Sequence, residues 1–344
     1  MSRETDQTAV VLFGEILLRL GAPDGELLLQ SPRLHVAVGG AEANVAVGLA
    51  RLGGEARMVS ILPDNPLGHA ALAELRRWGV DTRGVRFGPG RMGLYFLTPG
   101  AGLRPADIVY DRTGSAFAAA DPETVDWDAA LAGAAWLHVS GVTPAIGPNG
   151  SAAAIRAARA ANRLAVPVSF DGNYRAKLWA AWSGDGTGVL RTLIDGVDLA
   201  FLNDQDIGLV LGRRFEQADP AARLAAAAEL AFEHFPRLSR IAATLRSAHE
   251  ADRHTLSARL FTRGAPVLAA RSYELTGIVD RIGAGDAFAA GLLHGLGQDW
   301  PDQRRLELAL AAACAKHTVR GDFNLATAED IESILADERR DVRR

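Results

Sequence analysis

Hydrophobic residues follow two different spacings along the chain. Short continuous apolar runs such as Val10–Phe13 are typical of buried strands, whereas the spacing within Ala41–Leu52 is typical of an amphipathic helix. The predicted strands are Val10–Phe13, Arg57–Leu62, Trp136–Ser140, Val166–Phe170, Leu199–Leu202 and Arg240–Leu245. The predicted helices are Ala41–Leu52, Leu67–Trp78, Ser151–Arg163, Asp286–Leu296, Asp302–Arg320 and Thr327–Leu335. Because strands and helices alternate, we expect a three-layer α/β/α sandwich with a mostly parallel central sheet.

Two segments, 16–38 and 91–112, interrupt this alternation. They lack helical periodicity and contain strand-like pieces at Leu27–Gln30, Leu94–Thr98 and Ile108–Tyr110, separated by turns rich in Gly and Pro. Neither segment could bury itself alone, so we interpret the two as one small β-sheet beside the sandwich. Such a sheet would be a lid over a site or a dimer contact. The alternative is a pair of ordinary surface hairpins.

Length and composition favour one large globular domain. The chain has 344 residues, 48% of them hydrophobic and 23% charged, and we expect residues 1–344 to form a single domain. The 41 acidic residues outnumber the 37 Lys and Arg residues, which argues against a nucleic-acid partner. The single cysteine, Cys314, cannot form an internal disulfide, and the first apolar run, Ala9–Phe13, is too short for a signal peptide or a membrane span. We therefore expect a cytoplasmic protein with no membrane partner.

Lysine is scarce, since Lys177 and Lys316 are the only two in the sequence. Neither follows a G-x-x-x-x-G sequence, which excludes a Walker-type phosphate loop. Neither lies in a context typical of Schiff-base chemistry. Any nucleotide phosphates would therefore be bound mainly by backbone N–H groups and arginine.

The most informative motif is DRIGAGD at 280–286, directly before the apolar helical pattern AFAAGLL. The small residues Gly283, Ala284 and Gly285 allow a ligand to approach the backbone closely, and their N–H groups at a helix N-terminus form an anion site. Asp286 falls in the first helical turn, where the helix dipole favours its ionised form. A carboxylate beside an anion site suits removal of a hydroxyl proton while charge develops on a phosphoryl group. The structural alternative is an aspartate that caps a helix after a tight turn.

This motif resembles the C-terminal signature of the ribokinase-like (PfkB) carbohydrate kinases, and GGAEANVA at 39–46 resembles their N-terminal signature. The resemblance implies the ribokinase-like fold and ATP-dependent phosphorylation of a sugar, with Mg²⁺ accompanying ATP. It also implies that Gly283, Ala284 and Gly285 form the anion hole and that Asp286 is the catalytic base.

Further segments resemble the 2-keto-3-deoxygluconate kinases of that family. These segments are FGE at 13–15, YDR at 110–112, DGNYRAKLW at 171–179 and GDFN at 321–324. The resemblance implies phosphorylation of the terminal hydroxyl of 2-keto-3-deoxygluconate. The residues that it assigns to the sugar acid are Gly39, Gly40, Asn44, Tyr95, Tyr110, Arg112, Arg175 and Asp322.

Electrostatics also favours an acidic substrate. A buried carboxylate requires a cation that forms good hydrogen bonds with it. Arg175 follows the predicted strand Val166–Phe170 at its carboxyl end, where open α/β sheets bind ligands, and Arg112 ends a predicted strand of the lid. We expect both to hold the substrate carboxylate. In a chain so rich in arginine, the alternative for either one is an ordinary surface position.

The nucleotide side departs from the family's pattern. Asn203 and Asp206 match an Asn-x-x-Glu motif that organises magnesium through water, but the acid is shorter and Asp204 is an additional carboxylate. Thr244 and Arg246 stand where many relatives have Thr-Leu-Gly, so Arg246 would contact the ATP phosphates or point to solvent. The structural alternative for Asn203 is a helix cap. The other residues assigned to ATP are Asn173, Gly283, Gly285, Ala313 and Asn324.

The sequence leaves several alternatives open. The chain could be a PfkB kinase of a neutral sugar, such as a fructokinase or ribokinase, or a non-catalytic sensor of sugar acids. The sequence does not distinguish 2-keto-3-deoxygluconate from its galactonate epimer as the substrate. No protein side chain is expected to bind Mg²⁺ directly, and a monovalent cation is left open as a further requirement. We expect a homodimer formed through the lid.

Overall fold

The computed structural model describes residues 8–336. Its strands are β1 (Ala9–Phe13), β2 (Leu17–Gly21), β3 (His35–Gly39), β4 (Ala56–Pro63), β5 (Asp81–Gly88), β6 (Gly93–Thr98), β7 (Asp107–Asp111), β8 (Ala134–Ser140), β9 (Val168–Asp171), β10 (Leu199–Phe201), β11 (Arg240–Glu250), β12 (Arg253–Thr262), β13 (Leu268–Ala269) and β14 (Tyr273–Thr276). Its helices are α1 (Ala41–Arg51), α2 (Pro66–Arg77), α3 (Ala116–Ala119), α4 (Trp127–Ala130), α5 (Val142–Ala145), α6 (Pro148–Arg163), α7 (Ala176–Ala180), α8 (Gly186–Ile194), α9 (Asp204–Leu211), α10 (Pro220–His234), α11 (Ala284–Leu296), α12 (Asp302–Lys316) and α13 (Ala328–Leu335).

The main sheet has the strand order β13-β12-β11-β10-β9-β8-β1-β4-β5, with β14 paired to β12. All neighbours from β11 to β5 in this order are parallel, and β12 runs antiparallel to β11. The predicted three-layer sandwich with a mostly parallel sheet is therefore confirmed. The carboxyl ends of the parallel strands meet along one edge, which is where open α/β sheets bind ligands.

Side-chain alternation along β1 shows how helices come to cover both faces of this sheet. Val10 and Leu12 belong to a core shared with α1, α2, α11 and α12, whereas Val11 and Phe13 belong to a core shared with α6, α8 and α10. Successive side chains of a strand point to opposite faces. A continuous apolar run is therefore what a strand buried on both faces requires.

The two segments that interrupt the alternation form a separate four-stranded sheet, which we call the small sheet, in the order β3-β2-β6-β7. Strands β2 and β6 are parallel, and the outer pairs are antiparallel. On its inner face, Leu17, Tyr95 and Leu97 pack with Tyr110 and Ile282. The small sheet thus rests on the turn that contains the DRIGAGD motif.

The prediction of a strand at Leu27–Gln30 is wrong, since the chain turns there and Leu29 has a left-handed φ of 63°. The side-chain oxygen of Gln30 accepts a hydrogen bond from the N–H of Leu27 at 3.0 Å, and the Gln30 N–H donates to the Leu27 carbonyl at 3.1 Å. Such local bonds compete with a strand ladder. The strands of this segment lie on either side of the turn, as β2 and β3.

Strand β11 also extends further than predicted, because it continues to Glu250 and pairs with β12 as a long hairpin. Helix α12, by contrast, ends at Lys316 rather than at Arg320. No helix within residues 8–336 is long and apolar enough to cross a membrane.

Candidate active site

A cleft of about 990 Å³ lies between the carboxyl edge of the main sheet and the inner face of the small sheet. It brings together segments from both ends of the chain. The residues singled out in the sequence that line it are Gly40, Asn44, Tyr95, Tyr110, Arg112, Asn173, Arg175, Asn203, Thr244, Arg246, Gly283, Ala284, Gly285, Asp286, Ala313 and Asp322.

Asp286 lies in the first turn of α11 and is buried, with 9% of its surface exposed. The Nδ2 group of Asn44, from the first turns of α1, donates to its Oδ2 at 2.6 Å. Burial raises the pKa of Asp286 to about 6; the bond from Asn44 opposes this shift, and the charge of Asp322 adds to it. With this pKa the carboxyl group is still mainly ionised at pH 7. A pKa close to neutrality suits a general base.

The turn before α11 presents backbone N–H groups to the cleft. Gly283 caps the helix with a φ of 84°, and the Ala284 N–H donates to the Arg281 carbonyl at 3.2 Å. The expectation that Ala284 offers a free amide is thus corrected. Within residues 8–336, the N–H groups of Gly283 and Gly285 have no backbone acceptor. Of the three amides predicted from the sequence, these two are available to an anion.

The two glycines of this turn have different surroundings. A Cβ on Gly283 would lie 2.1 Å from the Asp322 carbonyl oxygen, so the backbone itself excludes a side chain there. A Cβ on Gly285 would meet no atom within 4 Å. The space above Gly285 is therefore open to a ligand in the cleft.

Asp171, at the end of β9, also lines the cleft, although the sequence reasoning gave it no role. Burial raises its pKa well above the usual value, and the negative charges of Asp286 and Asp206 raise it further, while Arg175 lowers it. Three carboxyl groups near one arginine make this edge a natural position for additional positive charge.

Asn203 and Asp206 form a capping box at the start of α9, which is the structural alternative considered for Asn203. The Asn203 Oδ1 accepts the N–H groups of Gln205 at 2.8 Å and Asp206 at 2.9 Å, and Asp206 accepts the Asn203 N–H at 3.1 Å. Asp206 does not line the main cleft but an adjoining depression, together with Asp171 and Asn203. Asp204 pairs with Arg223 at 2.8 Å.

Arg112 is buried and already has a protein partner. Its Nε donates to Glu15 Oε2 at 2.5 Å, and the Ser115 hydroxyl donates to the other oxygen of the same carboxylate. Glu15 lies two residues after the end of β1 and was not assigned a role from the sequence. This contact fixes the guanidinium in orientation and offsets part of its charge.

Tyr95 and Asp322 are bonded to each other. The Tyr95 hydroxyl contacts both Asp322 carboxylate oxygens, at 2.9 and 2.7 Å. Arg19 on β2 bridges Asp280 at 2.6 Å and Asp322 at 3.1 Å. This buried network joins the small sheet to Asp280, the first residue of the DRIGAGD motif, and to Asp322. The side chains of Tyr95 and Asp322 are therefore held in fixed orientations where they line the cleft.

Arg175 precedes α7 and is exposed, with one hydrogen bond from its Nη1 to the Tyr174 carbonyl at 3.1 Å. Its charge lowers the pKa values of Asp171, Asp206 and Asp286, which places it among these carboxyl groups. Asn173 donates from Nδ2 to the Ser140 hydroxyl at 2.9 Å.

Two further arginines, Arg246 and Arg281, line the cleft. Thr244 and Arg246 lie on β11, and Arg281 belongs to the DRIGAGD motif. Burial and the charge of Arg281 both lower the pKa of Arg246. Among the described residues neither arginine has a salt-bridge partner, so both cations are available to an anionic ligand.

Two residues assigned from the sequence, Gly39 and Asn324, have mainly structural contacts. Gly39 packs against Asp322, whose Oδ2 would lie 2.2 Å from a Cβ at that position. Asn324 does not line the cleft: its Nδ2 donates to the Ala312 carbonyl at 3.1 Å, and its Oδ1 accepts the Ala326 N–H at 3.3 Å. Its assignment to the nucleotide is corrected for this reason.

A second groove, of about 680 Å³, lies between the small sheet and the hairpin of β11 and β12. It contains Arg19, Asp280 and Arg281, but neither Asp286 nor the two glycine amides border it. The cleft that holds a base and an anion site together is the candidate active site.

Comparison with known proteins identifies the family of this chain. The family model described as "pfkB family carbohydrate kinase" matches residues 7–236. The chain belongs to the PfkB family of carbohydrate kinases. It is an ATP-dependent sugar kinase, and the resemblance to this family seen in the sequence is confirmed.

Individual relatives of this PfkB kinase cover nearly its whole length. The 2-dehydro-3-deoxygalactonokinase of Haloferax volcanii is 32% identical over 326 residues, which cover 95% of this chain and 96% of that protein. The crystal structure of the 2-dehydro-3-deoxygluconokinase of Thermotoga maritima has a TM-score of 0.90 and 40% identity, covering 96% of this chain and 99% of that one. The ATP-bound fructokinase of Xylella fastidiosa has a TM-score of 0.77 at 22% identity, covering 96% and 99%, and shows the shared fold alone.

Sequence reasoning missed several charged residues of the kinase cleft and its walls. Glu15, Asp171 and Arg281 lie inside the quoted motifs, so their positions were visible but their partners were not. Arg19 had no local signal, because its partners Asp280 and Asp322 are more than 250 residues away in the chain.

Proposed function

We propose that this PfkB kinase transfers the γ-phosphoryl group of ATP to the terminal hydroxyl of 2-keto-3-deoxygluconate. The observation that carries the proposal is the content of one cleft, which is lined by Asp286, by the open amides of Gly283 and Gly285, and by Arg112 and Arg175. The names of the relatives in Haloferax volcanii and Thermotoga maritima support a keto-deoxy sugar acid.

The acidic end of the substrate would be held by arginine. Arg175 is accessible and Arg112 is fixed by Glu15, so a carboxylate between them would receive charge-assisted hydrogen bonds. Tyr95 and Tyr110 pair directly across β6 and β7 and would form the adjacent wall against the sugar. Binding at this end directs the far hydroxyl toward Asp286.

Asp286 would act as the general base. As the hydroxyl oxygen bonds to the γ-phosphorus, its proton passes to the Asp286 carboxylate, and the bond from the γ-phosphorus to the β,γ-bridging oxygen breaks to release ADP. The N–H groups of Gly283 and Gly285 would stabilise the charge on the phosphoryl oxygens. Asn44 Oδ1 is buried without a donor among the described residues and would accept a hydroxyl of the substrate. Most of the rate acceleration would come from positioning and electrostatics, as is usual for phosphoryl transfer.

The nucleotide would lie along the edge that carries Thr244, Arg246, Asn173 and Ala313, with Arg246 and Arg281 next to its phosphates. Mg²⁺ bound with ATP supplies positive charge to those phosphates. Magnesium prefers oxygen ligands and keeps several waters, and the carboxyl groups of Asp171 and Asp206, with Asn203, provide such oxygens at this edge. These residues would therefore suit a magnesium ion that they contact through water molecules.

The galactonate epimer is a second candidate, favoured by the name of the Haloferax volcanii relative. The two acids differ at one hydroxyl, and the same base and arginines would serve both. A comparison of kcat/KM for the two epimers distinguishes them.

A coupled assay of ADP release tests the proposal directly. The purified kinase is given ATP, Mg²⁺ and one acceptor at a time: the two 2-keto-3-deoxy acids, fructose or ribose. We expect the keto-deoxy acids to be turned over and the neutral sugars to react poorly. Preference for fructose or ribose would make the chain a neutral-sugar kinase, and absence of any ADP release would support a sensor instead.

We also propose that two chains associate through the outer face of the small sheet. Val36, Leu20, Phe96 and Val109 stand opposite one another across β3, β2, β6 and β7 and therefore share one face. Val36 is 63% exposed and Val109 is 52% exposed. A second copy would bury this apolar row.

A further inference from the structure

Lys316 is the last residue of α12 and is completely buried. Its Nζ donates hydrogen bonds to the backbone carbonyls of Val319 at 2.8 Å and Asp280 at 3.2 Å. An unpaired buried ammonium is costly, so its position requires an explanation. The proposed chemistry does not use it, and its surroundings could not be predicted from neighbouring residues in the chain.

The ammonium lies directly behind the turn that presents the open amides. The Lys316 Cε would be 3.4 Å from a Cβ on Gly283, and the Asp322 carbonyl packs against the same point. The N–H groups of Val279 and Asp280 donate to the His317 carbonyl at 2.9 and 3.3 Å. These hydrogen bonds therefore join the end of α12 to the segment before the turn, and Lys316 contacts both.

The charges around Lys316 come from four parts of the fold. Asp280 precedes the turn, Asp322 follows α12, Asp286 lies on α11, and Arg19 reaches in from the small sheet. Burial lowers the pKa of Lys316 to about 8, whereas Asp280 and Asp322 raise it. The charge of Lys316 in turn lowers the pKa of Asp286.

We infer that Lys316 is a positioning residue for phosphoryl transfer, a built-in cation that holds the Asp280 and Val319 carbonyls and thereby fixes the Gly283–Gly285 turn. Backbone carbonyl oxygens of this kind would otherwise coordinate a monovalent cation such as K⁺. With a lysine ammonium in that place, the kinase requires no monovalent cation from solution. The inference rests on the proposed role of the turn in stabilising the transferred phosphoryl group.

The first test needs no variant. The turnover of the wild-type kinase is measured in chloride salts of K⁺, Na⁺ and tetramethylammonium at equal ionic strength, with Mg²⁺ and ATP constant. We expect kcat to be the same in all three within about twofold, a difference of well under 1 kcal/mol in activation free energy. A kinase that is active only in K⁺ would overturn the inference.

The second test replaces the ammonium. Lys316→Met leaves the Asp280 and Val319 carbonyls without this donor, which is a cost to stability. If part of this cost appears in the transition state, kcat falls about tenfold or more, while KM for the sugar acid changes little because Arg112 and Arg175 are untouched. Two further results separate positioning from a general loss of structure. Ammonium or K⁺ should restore part of kcat, and the acidic limb of the pH profile should move upward because Asp286 loses a positive neighbour.

Lys177→Met is the matched control, since Lys177 is the other lysine and is exposed on α7. We expect it to keep the wild-type kcat and cation response. A Lys316→Met enzyme with wild-type kcat and an unshifted pH profile would overturn the inference. If this variant does not fold, as judged by its melting curve, the salt comparison on the wild type decides alone. If the wild type phosphorylates only neutral sugars, the substrate proposal fails while both tests of Lys316 proceed on the accepted sugar.

Discussion

Asp286 and Asn44 form the pair on which the proposed chemistry depends. The carboxylate is buried at the start of α11, and its only side-chain hydrogen bond among the described residues comes from Asn44 at 2.6 Å. The bond orients the carboxylate without removing its second oxygen from the cleft. An aspartate held in this way can accept a proton along one defined direction.

Replacement of Asp286 by Asn should separate catalysis from folding. The amide oxygen of the new side chain can accept the same bond from Asn44, and a neutral group removes the cost of a buried charge, so the melting temperature should not fall. Turnover should decrease by at least ~10²-fold, the usual lower range for loss of a general base. The binding of sugar acid, measured by calorimetry, should remain. Near-normal turnover by this variant would remove Asp286 from its assigned role.

The pH profile follows from the same residues. Because burial raises the pKa of Asp286 to about 6, the base is lost as the pH falls through that value, and kcat/KM should decline on the acidic side near pH 6 rather than near 4. Because burial lowers the pKa of Lys316 to about 8, its charge is lost as the pH rises, and activity should decline again above that value. The residual activity of Asp286→Asn provides the control. An acidic limb that persists there belongs to another group, such as ATP.

Arg175 is the cleaner probe of the acidic substrate. Removing Arg112 would leave Glu15 as a buried charge without its partner, which is strongly destabilising in itself. Arg175 is exposed, so Arg175→Ala should leave the melting temperature unchanged. The loss of a charge-assisted hydrogen bond should raise KM for the keto-deoxy acid by about tenfold or more. Arg191→Ala, on the exposed face of α8, is the control. An unchanged KM in Arg175→Ala would contradict the proposed carboxylate site.

At the level of elements, α11 and its turn determine where negative charge can be stabilised. Gly283 is required by its φ of 84° and by the Asp322 backbone, whereas Gly285 is next to open space. The fold therefore requires glycine at position 283. At Gly285 the open space is available to a ligand.

Gly285→Ala therefore tests the anion site without disturbing the backbone. Alanine favours a helix over glycine by up to about 1 kcal/mol, so stability should stay the same or rise. The new methyl group would occupy space where the transferred phosphoryl group is proposed to lie, and kcat should fall about tenfold or more. The affinity for ADP, which lacks that group, should not change. Wild-type kcat in Gly285→Ala would show that the phosphoryl group binds elsewhere. Gly283→Ala would not discriminate, because it strains the fold itself.

At the level of the whole molecule, the small sheet has two faces with different tasks. Its inner face contributes Tyr95 and Tyr110 to the cleft, and its outer face carries the row of Val36, Leu20, Phe96 and Val109. A dimer through the outer face would hold the small sheet of each chain in place over its own cleft.

Light scattering on a size-exclusion column tests this association. We expect twice the chain mass of 36.4 kDa for the wild type and a monomer for the double variant Val36→Glu, Val109→Glu, because two of the four apolar side chains per chain would then be charged groups in a buried interface. Leu67→Glu is the matched control, since Leu67 is 52% exposed on α2, away from the small sheet. A wild-type monomer at micromolar concentration, or a double variant that stays dimeric, would contradict the proposal.

The sequence predicted most of the main sheet because its signals are local. Strand and helix periodicities are properties of adjacent residues, and β1, α1, β4, α2 and β8 lie where the patterns placed them. The small sheet was harder to predict. Its strand β2 alternates weakly, and its pairing with β6 is long-range. The apolar residues of Leu27–Gln30 predict a strand, although Gln30 closes a local turn there.

The α/β class and the DRIGAGD turn follow from the order of residues alone, since both depend on neighbours in the chain: the periodicity of side chains, and glycines just before a helix. Which charges meet depends instead on how the chain folds. The contacts of Arg19 with Asp280, of Arg112 with Glu15 and of Lys316 with the turn join distant segments or depend on burial. The same holds for the pKa of Asp286, because the cost of a charge is determined by the atoms packed around it and not by its place in the chain.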